Sequence, residues 1–295
     1  MIGELLRGEP EFLRVLGAAA RLAFYLAALG AAGTALYGAA FGRRVAPEEG
    51  SWLRRATLAS AAVGGAAAFA WLAVQVALAS DGNPLDGEIW SLMIGMPPGR
   101  SVLVAVAGLA LVGVAGWLGP ARPGAQVVGG VVLAASFALV GHTTATVPRV
   151  LFALLLVVHL LGVAFWAGSL VPLARASRGE PRAAAAFVED WARTASWLVG
   201  GLVVAGLALS WAIVGSLGVL FGTRYGWALL AKVALVGVVF AFVVWHRFRL
   251  TPDLAAGRPG AGRRLARSIG WEAAAMVLVF WAASELTATS PMGDG

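Results

Sequence analysis

The chain has 295 residues, of which 60% are hydrophobic and 13% charged, with a formal net charge of +7. A soluble domain needs about 25% charged residues to clothe its surface, so much of this surface faces something other than water. The positive charge falls in short stretches between apolar runs, which sets the orientation of a membrane protein, and no nucleic-acid partner is expected. The absence of cysteine excludes structural disulfides, thiolate metal sites and a thiolate relay.

Crossing the hydrocarbon takes roughly 20 apolar residues as a helix. Eight such runs are read, at 15–41, 56–79, 101–119, 125–141, 149–173, 194–216, 226–246 and 268–287. They do not alternate in polarity as barrel strands would. Backbone groups in lipid must be satisfied within the segment, so the spans are helices. The expected fold is an all-α, polytopic integral membrane helix bundle, one membrane domain over residues 1–295. Glu4, Arg7, Glu9, Glu11 and Arg14 crowd the start without an A-x-A-like site, so no cleaved signal peptide is expected.

The loops set the orientation. Odd-numbered loops hold 15 basic residues, among them Arg43, Arg44, Arg54, Arg55, Arg122, Arg175, Arg178, Arg258 and Arg264. The other side holds five: Arg7, Arg14, Arg100, Arg149 and Arg224. The asymmetry places the odd loops in the cytoplasm and both termini outside, in a cell (cytoplasmic) membrane.

Polar groups inside the membrane are costly, and each is a functional candidate. Arg21 in the first span and Gln75 in the second are the earliest. The second loop carries Asp81, Asp86 and Glu88, which attract cations, and Met93 and Met96, whose thioethers suit Cu(I). Packing at the bundle mouth accounts for the two methionines equally well. His142 closes the fourth span at its outer end. His159 stands about ten residues into the fifth span, roughly 15 Å deep at 1.5 Å per residue. An imidazole at that depth is either a structural hydrogen-bonding group or a ligand for copper, zinc or haem iron. Trp166 lies two turns further along. Lys232 sits about 9 Å below the outer end of the seventh span and Glu285 near the outer end of the eighth, so the two are candidates for a buried pair. His246 reads as an interfacial residue at the cytoplasmic end of the seventh span. Glu272 reads as lying near the start of the eighth, where a snorkelling side chain reaches water.

Several stretches, in order, resemble the CopD family of bacterial copper-resistance membrane proteins. After Gly141-His142-Thr143 comes His159-Leu160-Leu161 with Trp166, Gly168, Leu170, Pro172 and Leu173, similar to H-L-L-x-x-x-x-W-x-G-x-L-x-P-L. Thr223, Tyr225, Gly226, Leu229 and Lys232 follow T-x-Y-G-x-x-L-x-x-K, and Arg247, Leu250 and Pro252 follow N-R-x-x-L-x-P, with His246 where the pattern has Asn. Arg267, Ser268 and Glu272 then open a last helix ending near Pro291. The resemblance covers about 141–291; the first half matches in topology alone.

The resemblance implies copper transport from the periplasm into the cytoplasm, beside a separate periplasmic CopC-like carrier, since no such domain is fused here. In that reading Met93, Met96 and His142 collect the ion and His159 is the mid-membrane station. Tyr225, Lys232, His246, Glu272 and Glu285 remain candidates for pathway or structure, and Trp166 for gate or packing. No catalytic residue is assigned and no enzyme is expected. Two alternatives stay open: a membrane haem-binding redox protein using His159 as an axial ligand, and a non-transporting scaffold or assembly factor.

Overall fold

The computed structural model describes residues 10–45, 47–118, 123–141 and 147–287. Every regular element among them is a helix: α1 Pro10–Phe41, α2 Pro47–Ala79, α3 Gly87–Gly95, α4 Pro97–Leu118, α5 Pro123–Phe137, α6 Arg149–Ala176, α7 Pro181–Val214, α8 Leu217–Gly222, α9 Arg224–Trp245, α10 Thr251–Ala255 and α11 Ala261–Leu286. The all-α polytopic membrane bundle read from the sequence is the fold observed.

Among the described residues, seven helices are long and apolar enough to cross a membrane. Eight spans are expected from the apolar runs, and the difference is α5. Its 15 residues reach only about 22 Å. It packs closely along α4 for much of its own length. Ser101 of α4 donates to the Ser136 carbonyl at 2.8 Å, and further along, Gly108 faces Leu133 and Gly129 faces Val112. Small residues let α4 and α5 pack backbone to backbone, so a short helix fits where a longer one would protrude. At the other extreme, α1, α2 and α7 have 32, 33 and 34 residues and project past the hydrocarbon. Arg54, Arg55 and Arg193, read as loop residues, stand on these projections.

Consecutive long helices are antiparallel, and the connections sort onto two faces. On one, Arg44 pairs with Asp190, Arg175 Nε donates to Glu49 at 2.8 Å, and the Ser177 hydroxyl points to the Gly262 carbonyl at 3.5 Å. These contacts tie together the ends of α1, α2, α6, α7 and α11 on the arginine-rich side. On the opposite face the hydroxyls of Tyr25 and Thr287 lie 3.4 Å apart, and Phe137 stacks on Phe24. The basic loops therefore share one face, as their charge pattern predicts.

Helix α1 is the hub, burying Ala28, Ala31, Ala32 and Ala35 against its neighbours. It meets α6 where Gly33 touches Gly168 and the Ala164 carbonyl, and a Cβ on either glycine would overlap the other helix's backbone. This crossing holds α6, and with it His159 and Trp166, against the centre of the bundle.

Candidate functional site

Helix α6 carries two polar stations. The first is His159, half-buried between α6 and α7. Its Nδ1 lies 3.1 Å from the Leu202 carbonyl oxygen. A carbonyl only accepts, so Nδ1 carries the proton and Nε2 keeps its lone pair. The ring fits because α7 has glycine at 206, where a Cβ would stand 3.0 Å from Cε1 and 3.1 Å from Nδ1 of the imidazole. The expected pairing of Lys232 with Glu285 is not made: no ion pair among the described residues joins them. Their helices bring Leu229 and Leu286 together instead, in a small apolar cluster with Val214 and Tyr225. Tyr225 is buried there.

The second station lies two turns further along α6, toward the basic face. The Trp166 indole donates to Glu272 Oε1 at 2.7 Å. The other carboxyl oxygen, Oε2, is 3.3 Å from His246 Nδ1. His246 Nε2 in turn lies 2.8 Å from the Ser268 hydroxyl. Phe240 covers the indole edge-on at 5.4 Å. Glu272 is only 2% exposed and Trp166 likewise 2%. Trp166, His246 and Glu272, each a candidate on sequence grounds, thus form one network with Ser268.

Two expectations are corrected by this geometry. Glu272 is not a snorkelling residue at a helix start, because α11 begins at Ala261 and carries it three turns into the bundle. His246 is not a solvated interfacial residue, since its side chain keeps only 13% of its surface. The backbone helps place it. Residues His246–Leu250 form a π-helical turn in which the Thr251 N–H reaches the His246 carbonyl. Pro252 follows, and it lacks the N–H that an α-helical turn would use and crowds the preceding carbonyls, so the wider turn relieves it. Sequence reasoning missed the role of Ser268 within this network. The available signal was its spacing from Glu272, which puts both on one helical face.

The remaining candidates lie apart from α6. Met93 and Met96 belong to α3 and its C-cap, on the face opposite the basic loops. Met93 packs on the core and Met96 is exposed. Asp86 caps α3, accepting from the Glu88 and Ile89 N–H groups at 3.0 Å each. Its carboxylate is thus engaged by the backbone. His142 lies outside the described residues. Among those described, no three His, Asp or Glu groups come together as a metal cluster. His159 and His246 are held by different helices at different depths.

Residues 185–286 match the family described as Copper resistance protein D, and residues 12–149 match Copper resistance protein D-like, N-terminal domain. The second match extends the likeness to the first half of the chain. The His159 helix falls between the two matched regions for most of its length. No curated protein matches the chain, and no solved structure does.

Proposed function

Because this multi-pass membrane protein belongs to the copper resistance protein D family, we propose that it moves copper inward across the cytoplasmic membrane, with His159 as the mid-membrane ligand. The observation that carries the reading is the 3.1 Å contact of His159 Nδ1 with the Leu202 carbonyl. An Nδ1–H held by the Leu202 carbonyl is the arrangement in which metal-binding histidines present the other nitrogen. Nε2 is then an oriented imidazole donor between α6 and α7. Imidazole suits copper.

A transported ion must be released as well as held. A single imidazole without further protein ligands holds a cation loosely. Inward movement of a cation needs no nucleotide: an inside-negative potential supplies about 2.3 kcal/mol per charge per 100 mV. Met93, Met96 and His142 serve as the outer capture groups, loaded by a separate CopC-like carrier, and the arginine-rich face is cytoplasmic.

The test is copper uptake into proteoliposomes under an imposed inside-negative potential, with folded yield measured for each variant. His159→Asn keeps polarity but is a poor copper ligand, and uptake should be lost. His142→Asn should raise the copper concentration needed without abolishing uptake. Full uptake by well-folded His159→Asn protein would leave His159 a structural histidine.

A further inference from the structure

The first two turns of α11 carry an arrangement of charge that runs against helix electrostatics. Arg263, Arg264 and Arg267 stand there, all exposed, and the first turn holds no acidic residue. The N-terminal end of a helix is its positive end, where cations are unfavourable. Arg263 and Arg267 are also four residues apart on one face, where like charges oppose each other. Arg264 is drawn aside, donating to the Pro259 carbonyl at 2.9 Å and lying 3.7 Å from Asp253, which Arg258 already engages at 2.6 Å. Among the described residues no carboxylate pairs with Arg263 or Arg267. Membrane orientation needs basic residues in the loops of this face, but it does not need three of them at a helix start. Pro259, Gly260, Arg263, Arg264 and Arg267 line one open depression. Gly260 brings no side chain to cap the first N–H groups of the helix.

We propose that this depression holds the phosphate of one anionic phospholipid, whose acyl chain lies along Trp271 and Leu278. Guanidinium groups bind phosphate oxygens in a fork geometry, and the positive end of α11 adds to their pull. The depth fits a headgroup. From Leu286 back to Arg267 the helix covers about 29 Å at 1.5 Å per residue, and the hydrocarbon core is about 30 Å thick. The far end of α11 reaches the opposite face, where Thr287 meets Tyr25, so Arg267 stands at the boundary on the basic side. Trp271 comes one turn deeper on the same face as Arg267 and is 63% exposed, and Leu278, two turns beyond it, is 50% exposed. An indole at that level suits the membrane interface. The open apolar face that continues from the arginines is what selects a lipid, since free phosphate would use the arginines alone. A zwitterionic headgroup carries an ammonium that the same arginines repel, so the site prefers a phospholipid with net negative charge. Copper plays no part in this site.

The experiment uses the full chain, delipidated in detergent, with phosphatidylglycerol as the probe and phosphatidylcholine and inorganic phosphate as comparisons. Native mass spectrometry counts the retained lipid, and thermal unfolding reports binding of either lipid or phosphate. Phosphatidylglycerol should be held more tightly than phosphatidylcholine and should raise the unfolding temperature. Arg263→Gln/Arg267→Gln should lower the phosphatidylglycerol affinity about thirty-fold, a factor of about five for each arginine at a membrane surface. Arg54→Gln/Arg55→Gln removes the same charge elsewhere on the basic face and should leave the affinity unchanged. Trp271→Ala should weaken phosphatidylglycerol binding and leave inorganic phosphate unaffected. Equal retention of the two lipids overturns the site, as does an equal loss in the Arg54→Gln/Arg55→Gln protein. Phosphatidylglycerol binding that is indifferent to Trp271→Ala and is displaced by inorganic phosphate overturns the lipid assignment, leaving a plain anion site. If the Arg263→Gln/Arg267→Gln protein does not fold, Arg263→Gln alone decides, and unchanged affinity there overturns the site.

Discussion

His159 and Trp166 stand seven residues apart on α6, which puts them on one face of the helix about 10 Å apart along its axis. The first meets α7 through the Leu202 carbonyl. The second meets α11 through Glu272. One helix thus presents an imidazole and then an indole-bound carboxyl group along a single line running toward the basic face.

Trp166→Phe keeps the ring and removes the donor. Glu272 Oε1 is then buried without its partner, and a hydrogen bond to a charged group is worth about 1.5–3 kcal/mol. Thermal unfolding in detergent should show a loss of that size. A change within error would mean that water or another donor replaces the indole.

Gly206→Ala tests how tightly the His159 ring is seated. The new methyl would lie 3.0–3.1 Å from the imidazole, so the ring must shift from the Leu202 carbonyl. Overpacking of this kind costs about 1–3 kcal/mol, and copper uptake should fall well below wild type in protein that still folds. Gly168→Ala meets backbone instead of a side chain that can move. It should fail to assemble. Equal behaviour of the two variants would contradict this distinction.

The fold was legible in the sequence because apolar length and loop charge are local properties. The position of His159 along α6 came from counting residues along one uninterrupted run. The second station was harder to read. Its members come from α6, α11 and the π-helical turn after α9, and nothing in any one helix says that Trp166 faces Glu272. The span boundary also misled: the apolar run starts near Ser268, but the helix begins a full two turns earlier at Ala261. A carboxyl group judged to be near a helix end therefore lies inside the bundle. At α5 the apolar run read as 125–141 continues past the helix, which ends at Phe137, and its close packing through Gly108, Gly129 and Leu133 cannot be read from an apolar run.

Reporter fusions check which face is cytoplasmic. Insertions at Gly50, Gly179 and Gly260 should report cytoplasmic, and insertions at Gly87 and Gly215 external. Any one of the first three found on the same side as Gly87 would break the arrangement of two faces.

Glu180 caps α7 by accepting from the Ala183 N–H at 2.7 Å and the Arg182 N–H at 3.1 Å. These bonds to the ionised carboxylate, that from Ala183 foremost, hold its pKa below the ordinary glutamate value. A carboxyl group depressed on folding contributes stability above its unfolded pKa, about 4.3, and loses it as pH falls through the lower folded value. The Ala183 amide resonance should titrate with a midpoint under that value, and Glu180→Gln should remove the titration. A midpoint at or above the ordinary value would show that the cap does not form.

The contact between Gly33 and Gly168 also limits how this bundle can move. Packed side chains can reseat one turn along, which is how helices slide past each other in steps. Two backbones in direct touch have no ridge to lift and no neighbouring groove to enter, so translation along the contact is closed to them, while tilting about it costs little. The crossing behaves as a fulcrum. Widening the space between α1 and α6 on one side of it narrows the space on the other, so the two ends of the path are mechanically opposed. His159 lies on one arm of this lever, about nine residues toward the outer end of α6 from Gly168, while Trp166 lies almost at the pivot and moves least.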